Sequence, residues 1–289
     1  MRGFLNWALL VRMMSEQLSR MGSDLKELCD SIANAVEESI QGMIGKPEGG
    51  VVIGMGADGT STKSIDRAAE NAVLSQLRLS GKSFNVLSEE IGEVNIGDDP
   101  GYSIHLDPLD GTFNAINGIP FYSLSIYLNR NDCHFGYVFD LAASKKYYAE
   151  MGKGAYVEKE GDVPIKLGVS KTSSIKDFSI SAYTIRPNTA KIVGIGDKVR
   201  RIRTLGSTST EMALVAAGRL DAFVDLRGML RVVDVAAGKL ILEEAGGVIT
   251  DAKGRKIHLE GPMWQRTDLI GSNGLLHKEL LELIGGGSH

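Results

Sequence analysis

Residues 102–112 read Tyr-Ser-Ile-His-Leu-Asp-Pro-Leu-Asp-Gly-Thr, an apolar β-like run that leads directly into a pair of aspartates. Pro108 fixes its own φ and biases Asp107 toward extended geometry. Gly111 permits a backbone conformation that a Cβ would resist. We therefore predict a turn that directs the carboxylates of Asp107 and Asp110 into one space. Two such acids repel each other unless a cation lies between them, so the motif suggests Mg²⁺ held by oxygen ligands. Taken alone, the motif fits an ordinary surface turn somewhat better, and the rest of the chain is what favours the metal.

Bulk composition indicates a soluble globular protein of one large domain or two lobes. The chain has 289 residues, 43% of them apolar and 24% charged. A net charge of −4 without a dominant basic patch argues against nucleic acid as a partner. The two cysteines have no metal or redox spacing, which favours a cytoplasmic location. No stretch approaches the roughly 20 apolar residues of a membrane span, so we expect no membrane partner.

Both ends of the sequence are set apart from the fold. Residues 4–11 are mostly apolar, but the run is short, Arg12 interrupts it and no cleavage site follows. We interpret it as a terminal helix or an upstream extension, with Met13 and Met14 as further candidate starts. Residues 285–289 resemble the remnant of an expression tag.

The N-terminal part alternates helices with a run of strands. Helical spacing predicts a helix that starts with Ser23 as its N-cap and ends at Gly45, and a second helix over 64–79. The glycine-rich residues 46–63 are predicted to form a loop. Near-consecutive strand-like runs then predict an antiparallel meander. These runs are Phe84–Ser88, Tyr102–Leu106, Ser123–Leu128, Phe135–Leu141 and Lys146–Glu150.

From about residue 175 the pattern changes to alternating strands and helices, which is typical of covered sheets. We predict strands over residues 179–183, 222–226, 248–250 and 268–271, and helices over residues 208–217, 234–245 and 275–284. We expect two intimately packed lobes. The first, 1–174, carries Asp66, Glu89, Asp107 and Asp110, and the second, 175–284, carries Asp234.

Acidic residues occur at four notable positions: Asp66 at the start of a helix, Glu89 after a strand, the Asp107/Asp110 pair, and Asp234 at a helix start. Each alone has an ordinary interpretation as a cap, a first-turn residue or a solvent-facing acid. Together they adjoin strand ends, where α/β proteins assemble their sites. Convergence would create an acidic cluster that binds Mg²⁺ and, with it, a phosphate.

Two glycine-led helix starts could supply amides for an anion: Gly111-Thr112 and Gly206-Ser207-Thr208. No Walker P-loop supports an NTPase, and no Ser-His-Asp or Cys-His signature is present. The scattered histidines are interpreted as structural or surface residues.

Three motifs, in this order, make the chain similar to the Mg²⁺-dependent, lithium-sensitive phosphatases that include inositol monophosphatase and fructose-1,6-bisphosphatase. They are Ser88-Glu89-Glu90, Asp107-Pro-Leu-Asp-Gly-Thr-Phe-Asn114 and Asp234-Val-Ala-Ala-Gly-Lys-Leu-Ile-Leu-Glu-Glu-Ala-Gly-Gly247. The likeness covers residues 23–284. Segments 54–63 and 225–231 look most like the archaeal branch, which hydrolyses both inositol 1-phosphate and fructose 1,6-bisphosphate.

The resemblance implies a role for each matching residue. The metal ligands would be Glu89, Asp107, the carbonyl of Leu109, Asp110 and Asp234. The catalytic group would be Glu89 with Asp66 and Thr112, the last two orienting the attacking water. The phosphate would lie on the amides of Gly111 and Thr112, and the sugar or inositol side would be lined by Gly206, Ser207, Thr208 and Asp225. Residues 58–63 would form a mobile flap.

The resemblance also implies a layered α-β-α-β-α sandwich of the α/β (α+β) class, a homodimer, and two or three Mg²⁺ per site. Mn²⁺ would substitute for Mg²⁺ and Li⁺ would inhibit. Many family members have Trp before the last metal-binding aspartate, where this chain has Val233, and the spacing from Asp225 to Asp234 is longer here than in animal relatives. Arg227 and Arg231 fall in this insertion. We expect at least one of them to contact the second phosphate of a bisphosphate, the alternative being a surface salt bridge.

Two other functions stay open on the sequence. One is a phosphatase of the same family that acts on 3′-phosphoadenosine nucleotides, which would need an aromatic surface for the adenine. The other is an interaction protein that keeps its metal site for structure and binds a regulatory partner.

Overall fold

A computed structural model describes residues 22–57, 59–131, 133–184, 186, 188–259 and 265–285. Its helices are α1 (22–40), α2 (Ser64–Leu79), α3 (Thr112–Ile116), α4 (Thr189–Gly196), α5 (Thr208–Ala216), α6 (Val232–Glu244) and α7 (His277–Gly285). The predicted N-terminal extension and residues 286–289 of the tag-like ending lie outside the described residues. No helix within the described residues combines the length and apolar character that crossing a membrane requires.

The strands form a hairpin and two sheets. The hairpin is β1 (Val52–Met55) with β2 (Ser61–Lys63). The large sheet has the order β10-β9-β8-β7-β6-β5-β3-β4, and its members are β3 (Phe84–Ser88), β4 (Gly92–Ile96), β5 (Tyr102–Asp110), β6 (Ser123–Arg130), β7 (Cys133–Asp140), β8 (Lys145–Glu150), β9 (Gly154–Glu158) and β10 (Ile165–Lys166). The small sheet has the order β12-β11-β13-β15-β14, and its members are β11 (Ser179–Tyr183), β12 (Arg201–Arg203), β13 (Ala222–Leu230), β14 (Val248–Thr250) and β15 (Thr267–Ser272).

Alternating side chains on the strands separate the core into layers. On β6, Ile126 and Leu128 pack in one cluster with α1 and α2, whereas Tyr127 faces the opposite cluster with α5 and α6. On β13, Phe223 joins that same middle cluster, whereas Val224 packs with α4 and α7. Successive strand residues point to opposite faces, so each sheet contacts helices on both sides. The predicted layered α-β-α-β-α fold is therefore confirmed; the lobe boundary at residue 174/175 stays a prediction.

The loop predicted over residues 46–63 is wrong in part. Pro47–Gly50 form a 3-10 turn, and β1 pairs antiparallel with β2. All four residues of β1 are exposed, so the strand lacks the alternation of buried and exposed positions that reveals a strand in sequence. Asp58, placed in the predicted flap, lies outside the described residues.

Several element predictions need correction. Ser23 is not an N-cap, since α1 already includes residue 22, and Gly45 is the last residue of a turn over 41–45 that follows the end of the helix at residue 40. The meander contains one parallel pair, β3 with β5, because β4 returns on the outer side of β3. Short elements with few buried side chains were missed: β4, β9, β10, α4 and β12.

Candidate active site

The Asp-Pro-Leu-Asp segment is part of strand β5, not a turn after it. Asp107 pairs with Ser125 of β6 and Asp110 pairs with Ser123, so three steps along β5 match two along its neighbour. This extra residue is a β-bulge, and it accommodates Pro108, which has no N–H to give to the ladder. Residues three apart on a regular strand face opposite sides. The bulge returns both aspartates to one side, and both line the same pocket.

Three acids from separate elements converge at this edge of the large sheet. Glu89 follows β3, Asp107 lies on β5, and Asp234 lies in the first turn of α6. Their ligand oxygens lie within 4.8 Å of one another. Because β3 and β5 are parallel neighbours, their C-terminal ends meet at the same edge and bring Glu89 to Asp107. The predicted convergence of these three residues is what the structure shows.

The electrostatics of this trio disfavour three bare negative charges. Burial, together with the nearby Asp234 and Glu90 charges, raises the pKa of Glu89 to about 8, although the Arg231 guanidinium opposes the shift. Burial also raises the pKa of Asp107 well above its usual range, with further contributions from the Glu89 and Asp110 charges. An all-oxygen set of carboxylates, here two buried and one half-buried, is the donor set that hard divalent cations select. The residues present therefore fit a Mg²⁺ site.

Asp110 lines the same pocket but lies outside the trio and is held by α5. Its Oδ2 accepts hydrogen bonds from the Ser209 amide at 2.7 Å, the Ser209 hydroxyl at 2.6 Å and the Ser207 hydroxyl at 2.9 Å. Burial raises the pKa of Asp110, and these hydrogen bonds oppose the rise. The N-terminal end of α5 also favours a negative charge. Asp110 thus joins the large sheet to the helix layer beneath the small sheet.

A second pair crosses between α2 and the start of α3. The Thr112 hydroxyl donates to Asp66 Oδ1 at 2.7 Å and lies 3.0 Å from the carbonyl oxygen of Leu109. Asp66 Oδ2 accepts from the Lys63 amide at 3.0 Å, which fixes the carboxylate at the N-terminus of α2. Burial raises the pKa of Asp66, and the Thr112 hydrogen bond opposes the rise. The predicted Asp66–Thr112 pair is formed, although 46 residues separate its members.

Gly111 makes the connection between β5 and α3 possible. Its φ is +96°, and a Cβ added there would lie 2.9 Å from the Gly206 carbonyl oxygen and 3.1 Å from that of Phe121. Only glycine accommodates both the left-handed backbone and the close approach of the Gly206 segment. Gly111 and Thr112 therefore border the pocket beside the acidic trio.

The residues predicted to line the sugar side divide into two groups. Thr208 and Arg227 line the pocket. The side chains of Ser207 and Asp225 are fully buried. Ser207 accepts the Thr210 amide as the N-cap of α5, and Asp225 is paired with Arg227 at 2.6 Å. These two residues support the pocket wall. Gly206 does not line the pocket, and its amide donates to the Tyr183 hydroxyl.

A network that the sequence did not reveal holds this wall. Tyr183 carries the Arg227 guanidinium at 4.5 Å over its ring, donates its hydroxyl to Glu211, and accepts from the Gly206 amide. Burial raises the pKa of Glu211 to about 7, although hydrogen bonds from Ser181 and Tyr183 oppose the rise. Ser209 was missed as well. The Ser-Thr-Ser-Thr run over 207–210 was the available signal, since such a cluster at a helix start offers several donors.

Arg231, predicted to contact a second phosphate or to form a surface salt bridge, lies against two of the acids. Its Nη2 is 2.7 Å from Asp234 Oδ1 and 2.9 Å from Glu89 Oε1, and its side chain is buried. It therefore contacts two of the predicted metal ligands and is not a surface salt bridge. The pocket has a volume of about 250 Å³. Its further lining residues are Thr60, Leu109, Met229, Leu230 and Arg266.

The profile of the inositol monophosphatase family matches residues 19–286. The fructose-1,6-bisphosphatase/inositol-1-monophosphatase of Methanothermobacter thermautotrophicus is 38% identical over 88% of this chain and 94% of its own length. A bifunctional NADP phosphatase/NAD kinase of Methanococcus maripaludis is 37% identical over 91% of this chain, which spans only 49% of that protein.

Solved structures agree with these matches. An inositol monophosphatase–fructose 1,6-bisphosphatase crystal structure has a TM-score of 0.79 at 31% identity, covering 91% of this chain and 98% of that one. A Pyrococcus horikoshii protein described as similar to inositol-1 monophosphatase has a TM-score of 0.78 at 33% identity, covering 93% and 99%. The prediction of a phosphoric monoester hydrolase is confirmed. The chain, with its acidic trio and bulged Asp-Pro-Leu-Asp strand, belongs to the inositol monophosphatase family.

Proposed function

We propose that this protein is a Mg²⁺-dependent phosphatase that hydrolyses inositol 1-phosphate and fructose 1,6-bisphosphate by direct in-line attack of water. The observation that carries the proposal is the trio of the half-buried Glu89 and the buried Asp107 and Asp234, whose oxygens lie within 4.8 Å of one another beside a glycine-bordered pocket. Asp110 and the Leu109 carbonyl would complete the ligand set for two or three ions. When bound, Mg²⁺ supplies charge stabilisation for the phosphoryl group and lowers the pKa of the attacking water.

Asp66 and Thr112 would orient that water. The Thr112 hydroxyl donates its proton to Asp66, so its oxygen remains available to accept a hydrogen bond from the water. Asp66 is anchored by the Lys63 amide and buried, which keeps the pair in one geometry. The Gly111 and Thr112 amides would hold the phosphate at the start of α3. Positioning and charge stabilisation supply most of the acceleration in monoester hydrolysis.

The substrate rim supports a phosphorylated sugar or inositol. Arg227 is held by Asp225 and by the Tyr183 ring, and it presents a partly exposed guanidinium to the pocket. A guanidinium held in one orientation can donate two parallel hydrogen bonds to a second phosphate of the substrate. We expect Arg227→Met to lower kcat/KM for fructose 1,6-bisphosphate more than for inositol 1-phosphate. An equal loss for both would refute the role of Arg227 in the second phosphate.

NADP is a second candidate substrate, because a relative that is 37% identical over most of this chain is named as an NADP phosphatase. The 3′-phosphoadenosine nucleotides predicted as an alternative share the same need for an adenine surface. Tyr183 already carries Arg227 on its ring face.

The test is phosphate release from inositol 1-phosphate, fructose 1,6-bisphosphate, NADP and a 3′-phosphoadenosine nucleotide, each with Mg²⁺, Mn²⁺ or excess chelator. We expect turnover of the first two with either ion, none with chelator, and inhibition by Li⁺. Asp234→Asn is the matched variant and is expected to lose activity. Hydrolysis confined to a nucleotide would move the function to that substrate, and no metal-dependent hydrolysis at all would favour a regulatory interaction protein.

We also propose a homodimer in the cytoplasm. The exposed apolar residues of the first hairpin strand, Val52, Ile53 and Met55, supply a surface suited to a second copy. The free cysteines Cys29 and Cys133 suit a reducing compartment. Light scattering of the purified protein tests the dimer, and a monomeric mass at micromolar concentration would refute it.

A further inference from the structure

The acidic trio already contains a cation of its own. Arg231 Nη2 contacts Asp234 Oδ1 at 2.7 Å and Glu89 Oε1 at 2.9 Å, and Arg231 Nε contacts Asp234 Oδ2 at 3.1 Å. The fork therefore binds Asp234 with two donors and extends to Glu89 with one of them. Only 8% of the Arg231 residue surface is exposed, so solvent screens these contacts little.

The position of Arg231 in the chain explains why its guanidinium is placed here. Arg231 is the N-cap residue of α6, and its own amide donates to Asp234 Oδ2 at 2.7 Å. The backbone contact keeps the arginine next to the aspartate whichever way the side chain points. The long side chain spans from there to Glu89, which follows β3 of the large sheet.

The geometry places this guanidinium in competition with a metal. A Mg²⁺ ion binds oxygens at about 2.0–2.1 Å. An ion between Glu89 Oε1 and Asp234 Oδ1 would occupy the space in which Nη2 lies, because Nη2 is within hydrogen-bonding distance of both oxygens. The guanidinium stays protonated throughout the physiological range, so only movement of the side chain vacates that space.

We propose that Arg231 is the internal counter-ion of the metal-free site, and that the divalent cation must displace its guanidinium from Glu89 and Asp234. This inference rests on the proposed function only in taking these two acids as metal ligands. Arg231 thereby stabilises the metal-free fold and weakens metal affinity. Its neighbour Arg227 does not share this role, because its fork is bound to Asp225.

The test measures Mn²⁺ and Mg²⁺ binding by isothermal titration calorimetry on chelator-stripped protein, with the melting temperature recorded in chelator. Arg231→Gln is expected to bind Mn²⁺ about tenfold more tightly, because the competing cation no longer reduces the population of the open site. Its metal-free melting temperature is expected to fall by several degrees, since the carboxylates lose their partner. Its rise in melting temperature on adding Mn²⁺ should exceed that of the wild type.

Two control variants separate competition from general electrostatics. Arg266→Gln removes one positive charge from the same pocket. The Arg266 guanidinium donates to the Met229 carbonyl oxygen. This variant is expected to leave the metal affinity within about twofold. Arg231→Lys keeps the positive charge but loses the planar guanidinium with its several donors. It should therefore fold like the wild type and bind metal with an affinity between those of the wild type and Arg231→Gln.

Unchanged or weaker Mn²⁺ affinity in Arg231→Gln, or in Arg231→Lys if the first variant does not fold, would overturn the inference. A metal-free melting temperature equal to that of the wild type would do the same. Failure of the proposed function would give a different result. The wild-type protein would then bind no Mn²⁺ in a saturable way, or it would bind Mn²⁺ equally well after Asp234→Asn.

Discussion

Replacing Gly111 by alanine tests how the end of β5 and the Gly206 segment are held together beside the pocket. Gly111 has a φ of +96°, and its missing Cβ would lie 2.9 Å from the Gly206 carbonyl oxygen, 3.1 Å from the Phe121 carbonyl oxygen and 3.3 Å from the Tyr122 Cα. All three contacts are to backbone atoms, so no flexible side chain can yield. The left-handed conformation alone costs about 1–2 kcal/mol for a residue with a Cβ. Overpacking against fixed atoms adds about 1–3 kcal/mol.

Gly81 offers a matched control for this substitution. Its φ is +67°, and nothing lies within 4 Å of the Cβ that alanine would add. Gly81→Ala therefore carries the conformational cost without the clash. We expect it to lower the free energy of unfolding by about 1–2 kcal/mol, and Gly111→Ala to lower it by about 2–5 kcal/mol.

The assay is urea unfolding followed by circular dichroism, with kcat/KM measured in parallel. Gly111→Ala should also lose activity, because the strain displaces the Gly111 and Thr112 amides and the Gly206 segment together. Gly81→Ala should keep wild-type activity, since Gly81 follows α2 and lies outside the pocket lining. The reasoning would be refuted if both variants unfolded at the same urea concentration, or if Gly111→Ala retained full activity.

The remaining predictions concern pH, the Thr112 hydroxyl that is hydrogen-bonded to Asp66, and metal removal. Burial raises the Glu211 pKa from 4.5 to about 7. The contribution of Glu211 to stability is therefore complete below pH 4.5 and is lost as the pH rises through 7. Glutamine does not titrate, so the free energy of unfolding of Glu211→Gln in urea, taken relative to that of the wild type, should increase by about 3 kcal/mol between pH 4 and pH 8. A parallel pH dependence in both proteins would contradict this. Thr112→Val removes the hydroxyl that donates to Asp66 at 2.7 Å. We expect kcat to fall about 10²-fold or more with an unchanged melting temperature, and near-wild-type turnover would exclude the pair from water activation. Chelation of metal should lower the melting temperature of the wild type, because the half-buried Glu89 and the buried Asp107 lie beside like charges, and should leave that of Asp234→Asn almost unaffected. Equal chelator effects on the two proteins would argue against a metal at this trio.

Sequence periodicity located the long elements because burial imposes a repeat on them. The helix predicted over 64–79 coincides with α2, and the strand predicted over 84–88 coincides with β3. Where burial imposes no repeat, prediction failed. The exposed strand β1 and the short strand β12 have no alternating buried face for a pattern to report. The Asp-Pro-Leu-Asp segment was predicted as a turn because proline and glycine signal turns equally well when they accompany a bulge.

The motifs that contain Glu89, Asp107 and Asp234 were enough to predict that these acids converge, since each acid adjoins a strand end or a helix start. The left-handed backbone at Gly111 could also be expected from the local sequence, because glycine has no Cβ to oppose it. Partners far apart in the chain were decided only by folding. Asp110 meets Ser209, Thr112 meets Asp66, and Arg231 meets Glu89 across separate elements. Such contacts depend on strand register and on the packing of α5 and α6 between two sheets, and no pattern within one segment encodes a distance to another.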